Sequence, residues 1–109
     1  MDEEGRQLLK MKAEVLAALA HPIRLGIVEF LRDGEQCVCD IAERMGSERS
    51  NVSRHLAVML RAGVVEHRKD GLRMLYRLRT PCVVGFLACV SSVLRERIEA
   101  DQAVLERLQ

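Results

Sequence analysis

The chain has 109 residues, a net charge of +1, 49% hydrophobic residues and only 3% aromatic ones. That length suits a single domain with an aliphatic core, small enough that a partner subunit would add usefully to its buried surface. No run of about 18 apolar residues is present to span a bilayer, and the acidic start "MDEEGRQLLKMK" has no apolar leader segment, so the protein is expected in the cytoplasm, where thiols stay reduced.

In chain order, "RQLLKMKAEVLAALA" (6–20) spaces Leu8, Leu9, Met11, Val15, Leu16 and Leu19 as an amphipathic helix does. His21 and Pro22 break it, and Pro22 opens a second helix, "IRLGIVEFLRD", that ends at Gly34. "CVCDIAERM" follows as a short helix stopped by Gly46. "SERSNVSRHLAVMLRAG" is then a fourth helix, with Ser47 as its expected N-cap and Gly63 as its end. In "VVEHRKDGLRMLYRLR" two short runs with β-branched or aromatic residues flank "KDGL", and Asp-Gly in that setting signals a hairpin. From Pro81 a long helix is expected, apolar on nearly every side from Cys82 to Leu94 and charged beyond. A helix apolar all round must be covered. The expected cover is the first helix and a second copy of the chain. The predicted fold class is therefore mainly α with a β-hairpin. A short helix, a Gly-containing turn and a helix with a basic start make a helix-turn-helix, and the hairpin after it is a wing.

Charge points the same way. Residues 44 to 79 carry nine basic and three acidic residues, a surplus of six on a chain whose net charge is +1. Such a segment is the electrostatic footprint of a polyanion partner, or else a set of solvated helix and strand faces. A recognition helix sets its N-terminal residues against base edges in the major groove. The candidates are Ser47, Arg49, Ser50, Asn51, Ser53 and Arg54. Asn reads adenine and Arg reads guanine in bidentate fashion, while Ser and some Arg hold phosphate. His55 either packs or touches phosphate. Lys69 and Arg73 on the hairpin would meet backbone or minor groove, or stay solvated. Nothing suggests an enzyme: there is no C-x-x-C on a βαβ pattern, no Ser-His-Asp set and no phosphate loop.

The four cysteines are Cys37, Cys39, Cys82 and Cys89. The first two stand one residue apart at the start of a helix, as a soft-metal or redox pair or as two small apolar residues. Residues two apart do not face each other on a helix, so one ion held by both would deform the first turn beneath the recognition helix. The helix N-terminus lowers a thiol pKa and Asp40 opposes this. Cys82 and Cys89, seven apart, share a helix face and fit an apolar run as filler, a pair of their own, or contacts to their copies across a dimer interface.

The stretches "LAALAHPIRLGIVEFL", "CVCDIAERM", "SNVSRHLAVMLRAGVV" and "RKDGLRMLYRL" together resemble the ArsR/SmtB family of winged-helix metal-responsive repressors, over about Leu16 to Leu78. The resemblance implies a dimeric winged helix-turn-helix, one domain over 1–109 with dimerisation helices at both ends, bound to double-stranded operator DNA and to no membrane. In the arsenic-responsive branch "CVCD" supplies thiolates to arsenic(III) or antimony(III), which carries over to Cys37 and Cys39. Many such members have a third cysteine where this chain has Ala42, so Cys82, Cys89, water or a small thiol would complete the set. The family's other site, on the last helix, aligns with Thr80, Cys82, Val93 and Glu96; only Glu96 matches, which argues against a zinc-like ion there. Some members respond instead to oxidants or reactive sulfur, and Cys37 bridged to Cys82 or Cys89 by a disulfide or polysulfide would be the equivalent here.

Overall fold

The computed structural model describes residues 1–108; Gln109, the last residue of the expected domain, lies outside them. Five helices and three strands run in the order α1 (Glu3–Leu19), α2 (Pro22–Leu31), β1 (Gln36–Cys37), α3 (Val38–Met45), α4 (Arg49–Ala62), β2 (Val65–Asp70), β3 (Arg73–Leu78) and α5 (Val83–Arg107). The winged helix-turn-helix expected from the sequence is present. No described helix is long and apolar enough to cross a membrane.

Local chemistry explains most boundaries. The Asp2 carboxylate accepts the Gly5 amide at 2.7 Å and starts α1. α2 has Pro22 in its first turn, and its N-cap is His21, whose Nδ1 accepts the Ile23 amide at 3.1 Å. Gly46 closes α3 in the left-handed conformation, at φ 62°. There the Ser47 amide donates back to the Ala42 carbonyl, the long-range bond of a Schellman ending. This corrects the expected cap of α4. With its amide committed to α3, Ser47 stays outside the next helix and Glu48 takes the N-cap position, without a side-chain hydrogen bond.

The hairpin is tighter than "KDGL" suggests. Asp70 pairs with Arg73, leaving Gly71 and Leu72 as a two-residue turn, with Gly71 at φ 63° in the first central position. β1 was not expected. Gln36 and Cys37 pair antiparallel with Tyr76 and Leu75, giving a three-stranded sheet in the order β1-β3-β2.

The core lies where α2, α3 and α4 meet the sheet. Ile27, Val28, Ile41, Val52, Leu56 and Met59 are fully buried, with Val64 and Val65 almost so. Each such side chain contributes about 1.5–3 kcal/mol relative to exposure. α5 differs from expectation: its packing partner in the chain is α2, and none of its residues is buried. Val83, Val84 and Leu87 rest on the core, while Phe86, Val90, Val93, Leu94 and Ile98 are each about half exposed. The cover expected from α1 is therefore not formed within one chain.

Ile41 joins α3 to the core and is 0% exposed. Ile41→Ala should cost about 2–5 kcal/mol in chemical denaturation, whereas Leu72→Ala at the open wing tip should stay within about 0.5 kcal/mol.

Candidate nucleic-acid interface and thiol pair

α4 is held from below by Val52, Leu56 and Met59, all fully buried. That periodicity turns Arg49, Ser50, Ser53 and Arg54 outward, and all four are exposed. Asn51 is half-buried and engaged: its Nδ2 donates to Ser47 Oγ at 2.8 Å, and its Oδ1 accepts from Arg54 Nη2 at 3.2 Å. Ser47, Asn51 and Arg54 thus form a short chain along the N-terminal turn. Because Glu48 gives no side-chain cap, the first amides of α4 keep their donor capacity, and the positive end of the helix dipole faces outward with them. His55 does not join this row. It is half-buried, and its Nδ1 accepts from Arg24 Nε of α2 at 3.3 Å.

On the wing, Lys69 and Arg73 are exposed beside the Gly71–Leu72 turn, and Leu72 at the tip is fully exposed. Two wing arginines are committed elsewhere. Arg77 pairs with Glu66 within the hairpin. Arg68 meets both carboxylate oxygens of Glu35, its Nε at 3.2 Å from one of them. The Arg68 hydrogen bond holds the Glu35 carboxyl below its ordinary range, slightly offset by desolvation. The same bond raises Arg68. Sequence reasoning missed this tie because the two residues lie on different elements with no shared periodicity. Only the opposite charges hinted at it.

The thiols occupy three environments. Cys37 is buried, ends β1, and is the N-cap of α3, where its Sγ accepts the Asp40 amide at 3.4 Å. Cys39 is half-buried in the first turn. Cys82 is the N-cap residue of α5 without a side-chain bond, and Cys89 lies two turns on; both are exposed. Among the described residues no group of three or more Cys, His, Asp or Glu is placed to hold an ion. The chain therefore offers Cys37 and Cys39 as neighbours at one cap and leaves any third donor to come from elsewhere.

With this geometry in view, the similarities to known proteins fall in one group. The family model described as "Bacterial regulatory protein, arsR family" matches residues 21–67, from the N-cap of α2 into β2. The chain is 39% identical to the uncharacterized HTH-type transcriptional regulator Rv0081 of Mycobacterium tuberculosis, over 97% of this chain and 94% of that one. It is 32% identical to the arsenical resistance operon repressor of Escherichia coli, over 87% and 82% respectively. Among solved structures it superposes on Mb0332 of Mycobacterium bovis, described as a homodimeric winged helix-turn-helix DNA-binding domain, with a TM-score of 0.79 at 33% identity, covering 92% of this chain and 93% of that one.

Cys37 as a cap and Cys37 as apolar filler predict opposite orders of stability. Serine is among the best N-caps, while valine keeps the bulk and removes the acceptor. Cys37→Ser should leave stability within about 0.5 kcal/mol and Cys37→Val should cost about 0.5–2 kcal/mol. Urea denaturation of both variants gives the order.

Proposed function

The chain belongs to the arsR family of bacterial regulatory proteins, and on that premise we propose that it represses transcription as a homodimer bound to operator DNA and releases that DNA when arsenic(III) or antimony(III) is ligated by Cys37 and Cys39. The observation that carries the reading is the position of the two thiols: they are the N-cap and the second residue of the helix that leads, through one glycine turn, into the exposed row Arg49, Ser50, Ser53 and Arg54. The arsenical resistance operon repressors of Escherichia coli and Bacillus subtilis, 32% identical each, support the inducer class.

For DNA, the outward row of α4 enters the major groove, with the uncapped N-terminus and Ser47 toward phosphate. Asn51 and Arg54 arrive already bonded to each other, which reduces the ordering cost of a base contact. Lys69 and Arg73 of the wing reach the neighbouring backbone. His55 supports the helix from behind instead of touching DNA. For assembly, α1 leaves Leu8, Leu9, Met11 and Leu16 half exposed, and α5 leaves Phe86, Val90 and Val93 so. Apolar stripes of this size on both terminal helices fit burial against the same helices of a second copy.

For release, the chemistry of the donor set fits a thiophilic metalloid and not a hard ion. Cys37 and Cys39 are the N-cap and second residues of α3. To meet one atom, Cys37 Sγ must turn away from the Asp40 amide it now serves. The first turn then loses its cap and its regular geometry, and the turn under α4 loses its support. Ligand and operator therefore favour different arrangements of α3, which is the differential affinity a switch requires. The third donor is Cys82, Cys89, water or a small thiol.

Three outcomes are expected. Operator affinity should fall steeply with salt, and Arg54→Ala should cost about 1–3 kcal/mol and flatten the log–log salt slope by about one unit per site. Binding that ignores salt contradicts the interface. Phe86→Asp should yield monomers in sedimentation with the fold intact, because Phe86 lies on the open stripe, whereas a charge at Leu87 strikes the core. In titrations of operator complexes with arsenite, Cys37→Ser and Cys39→Ser should bind DNA as wild type and fail to release it, and Cys82→Ser and Cys89→Ser sort the third donor. Full response in the first pair sinks the chelate. A covalent sulfur bridge between Cys37 and an α5 cysteine, seen by mass spectrometry after polysulfide treatment, would replace the metalloid with reactive sulfur as the input.

A further inference from the structure

Arg24 ties three helices together without a carboxylate. Its Nη1 donates to the carbonyls of Ala17 and Ala18 in the last turn of α1, at 3.2 and 3.3 Å, and its Nε donates to Nδ1 of His55 on α4 at 3.3 Å. Among the described residues the ion pairs are Arg32–Asp33, Arg68–Glu35 and Arg77–Glu66, so nothing acidic competes for this guanidinium. α1 has no basic residue in its last turn, and Arg24 provides the charge that complements its negative end. A planar fork with several fixed donors suits such a junction, where lysine could not make the same set of bonds.

The acceptor is specific too. His55 accepts the Arg24 Nε–H hydrogen bond at Nδ1, a role that requires the neutral tautomer with its proton on Nε2. Burial, followed by the charges of His21, Arg24 and Arg54, holds the His55 pKa below its ordinary value. The titratable and charged groups that face it are His21 at the N-cap of α2, Arg24 of α2 and Arg54 of its own helix; α1 presents only the two carbonyls to Arg24. The His21 ring lies 4.3 Å from that of His55, and its own Nδ1 is taken by the Ile23 amide. His55 follows Arg54 directly, so the joint grips the back of the turn whose front carries Arg54.

We propose that Arg24 is a positioning residue for operator recognition, fixing the angle between α1 and the recognition helix α4 through the acceptor nitrogen of His55. This rests on the homodimer reading above. If α1 belongs to the dimer interface, the separation of the two recognition helices is transmitted from interface to α1, through Arg24 and His55, to α4. Loosening the joint leaves each α4 able to read its half-site and removes the dimer's preference for one half-site spacing.

The test compares an operator with the same operator lengthened by one base pair between half-sites. The wild-type dimer should discriminate by about tenfold or more, and Arg24→Met and His55→Leu should bring the two affinities within about threefold while still forming dimers. His55→Gln, which keeps an acceptor, should preserve the discrimination. As pH is lowered below the ordinary histidine range the wild type should lose it as His55 is protonated, and His55→Gln should not. The sign follows from the depressed pKa: the joint is intact above the ordinary histidine range and lost as pH falls below it. Should Arg24→Met fail to fold, His55→Leu and the pH profile carry the test. Unchanged discrimination in Arg24→Met and His55→Leu, or the same pH profile in wild type and His55→Gln, overturns the proposal and leaves the repressor reading standing. A wild-type dimer that binds no operator at all overturns both.

Discussion

The hydrogen bond from the Asp40 amide to Cys37 Sγ sits where strand, core and recognition motif meet. Cys37 is the last residue of β1, paired with Leu75 of the wing, and also the cap from which α3 starts. One turn on, Ile41 and Ala42 lock α3 into the core. Gly46 then reverses the chain, and Val52 and Leu56 seat α4 on the same core. The outward aim of Arg49, Ser50, Ser53 and Arg54 is thus inherited from the pose of α3. A weak contact to sulfur contributes little energy by itself. Its importance is positional: it caps the element that sets the pose of α4.

The wing shares that anchor. β1 is hydrogen-bonded to β3, and Glu35, just ahead of β1, holds Arg68 of β2 with both carboxylate oxygens. The residues around Cys37 consequently bear on the wing as well as on α4. The same pairings narrow the electrostatic footprint. Nine basic residues between 44 and 79 suggest a broad polyanion surface, but Arg68 and Arg77 are neutralised by carboxylates within the fold, and Arg44 lies over the Phe30 ring. The basic side chains left unpaired there are Arg49 and Arg54 at the start of α4, Lys69 and Arg73 at the tip of the wing, and Arg61 and Arg79, in the last turn of α4 and just past β3. These exposed ion pairs matter for direction more than for stability, since solvent screens them.

Much of this was legible in the residues. Gly46, Gly63 and Asp70-Gly71 punctuate helix and hairpin because each solves a local backbone problem. What stayed hidden depended on distant partners. Two residues of β1 have no period to detect, and their pairing with Tyr76 and Leu75 is a long-range fact. The cap of α4 fell on Glu48 in place of Ser47 because the end of α3 claims the Ser47 amide. His55 was open between packing and touching phosphate, and its partner Arg24, 31 residues away, was not visible in the sequence. The apolar girth of α5 was visible, but the chain alone covers only the side bearing Val83, Val84 and Leu87. The placement of Cys37 and Cys39 at the start of a helix was legible in their spacing, and no third Cys, His, Asp or Glu lies with them among the described residues.

On the reading proposed above, ligation of Cys37 and Cys39 opens the first turn of α3 and thereby frees α4. Amide hydrogen exchange on the DNA-free dimer, with and without one equivalent of arsenite per thiol pair, tests it most directly. Faster exchange is expected at the first turn of α3, around Asp40 and Ile41, extending into the start of α4 and the β1–β3 ladder, with α2 unchanged. Arsenite retained on Cys37 and Cys39, with exchange in α3 and α4 identical to that of the free protein, would contradict it.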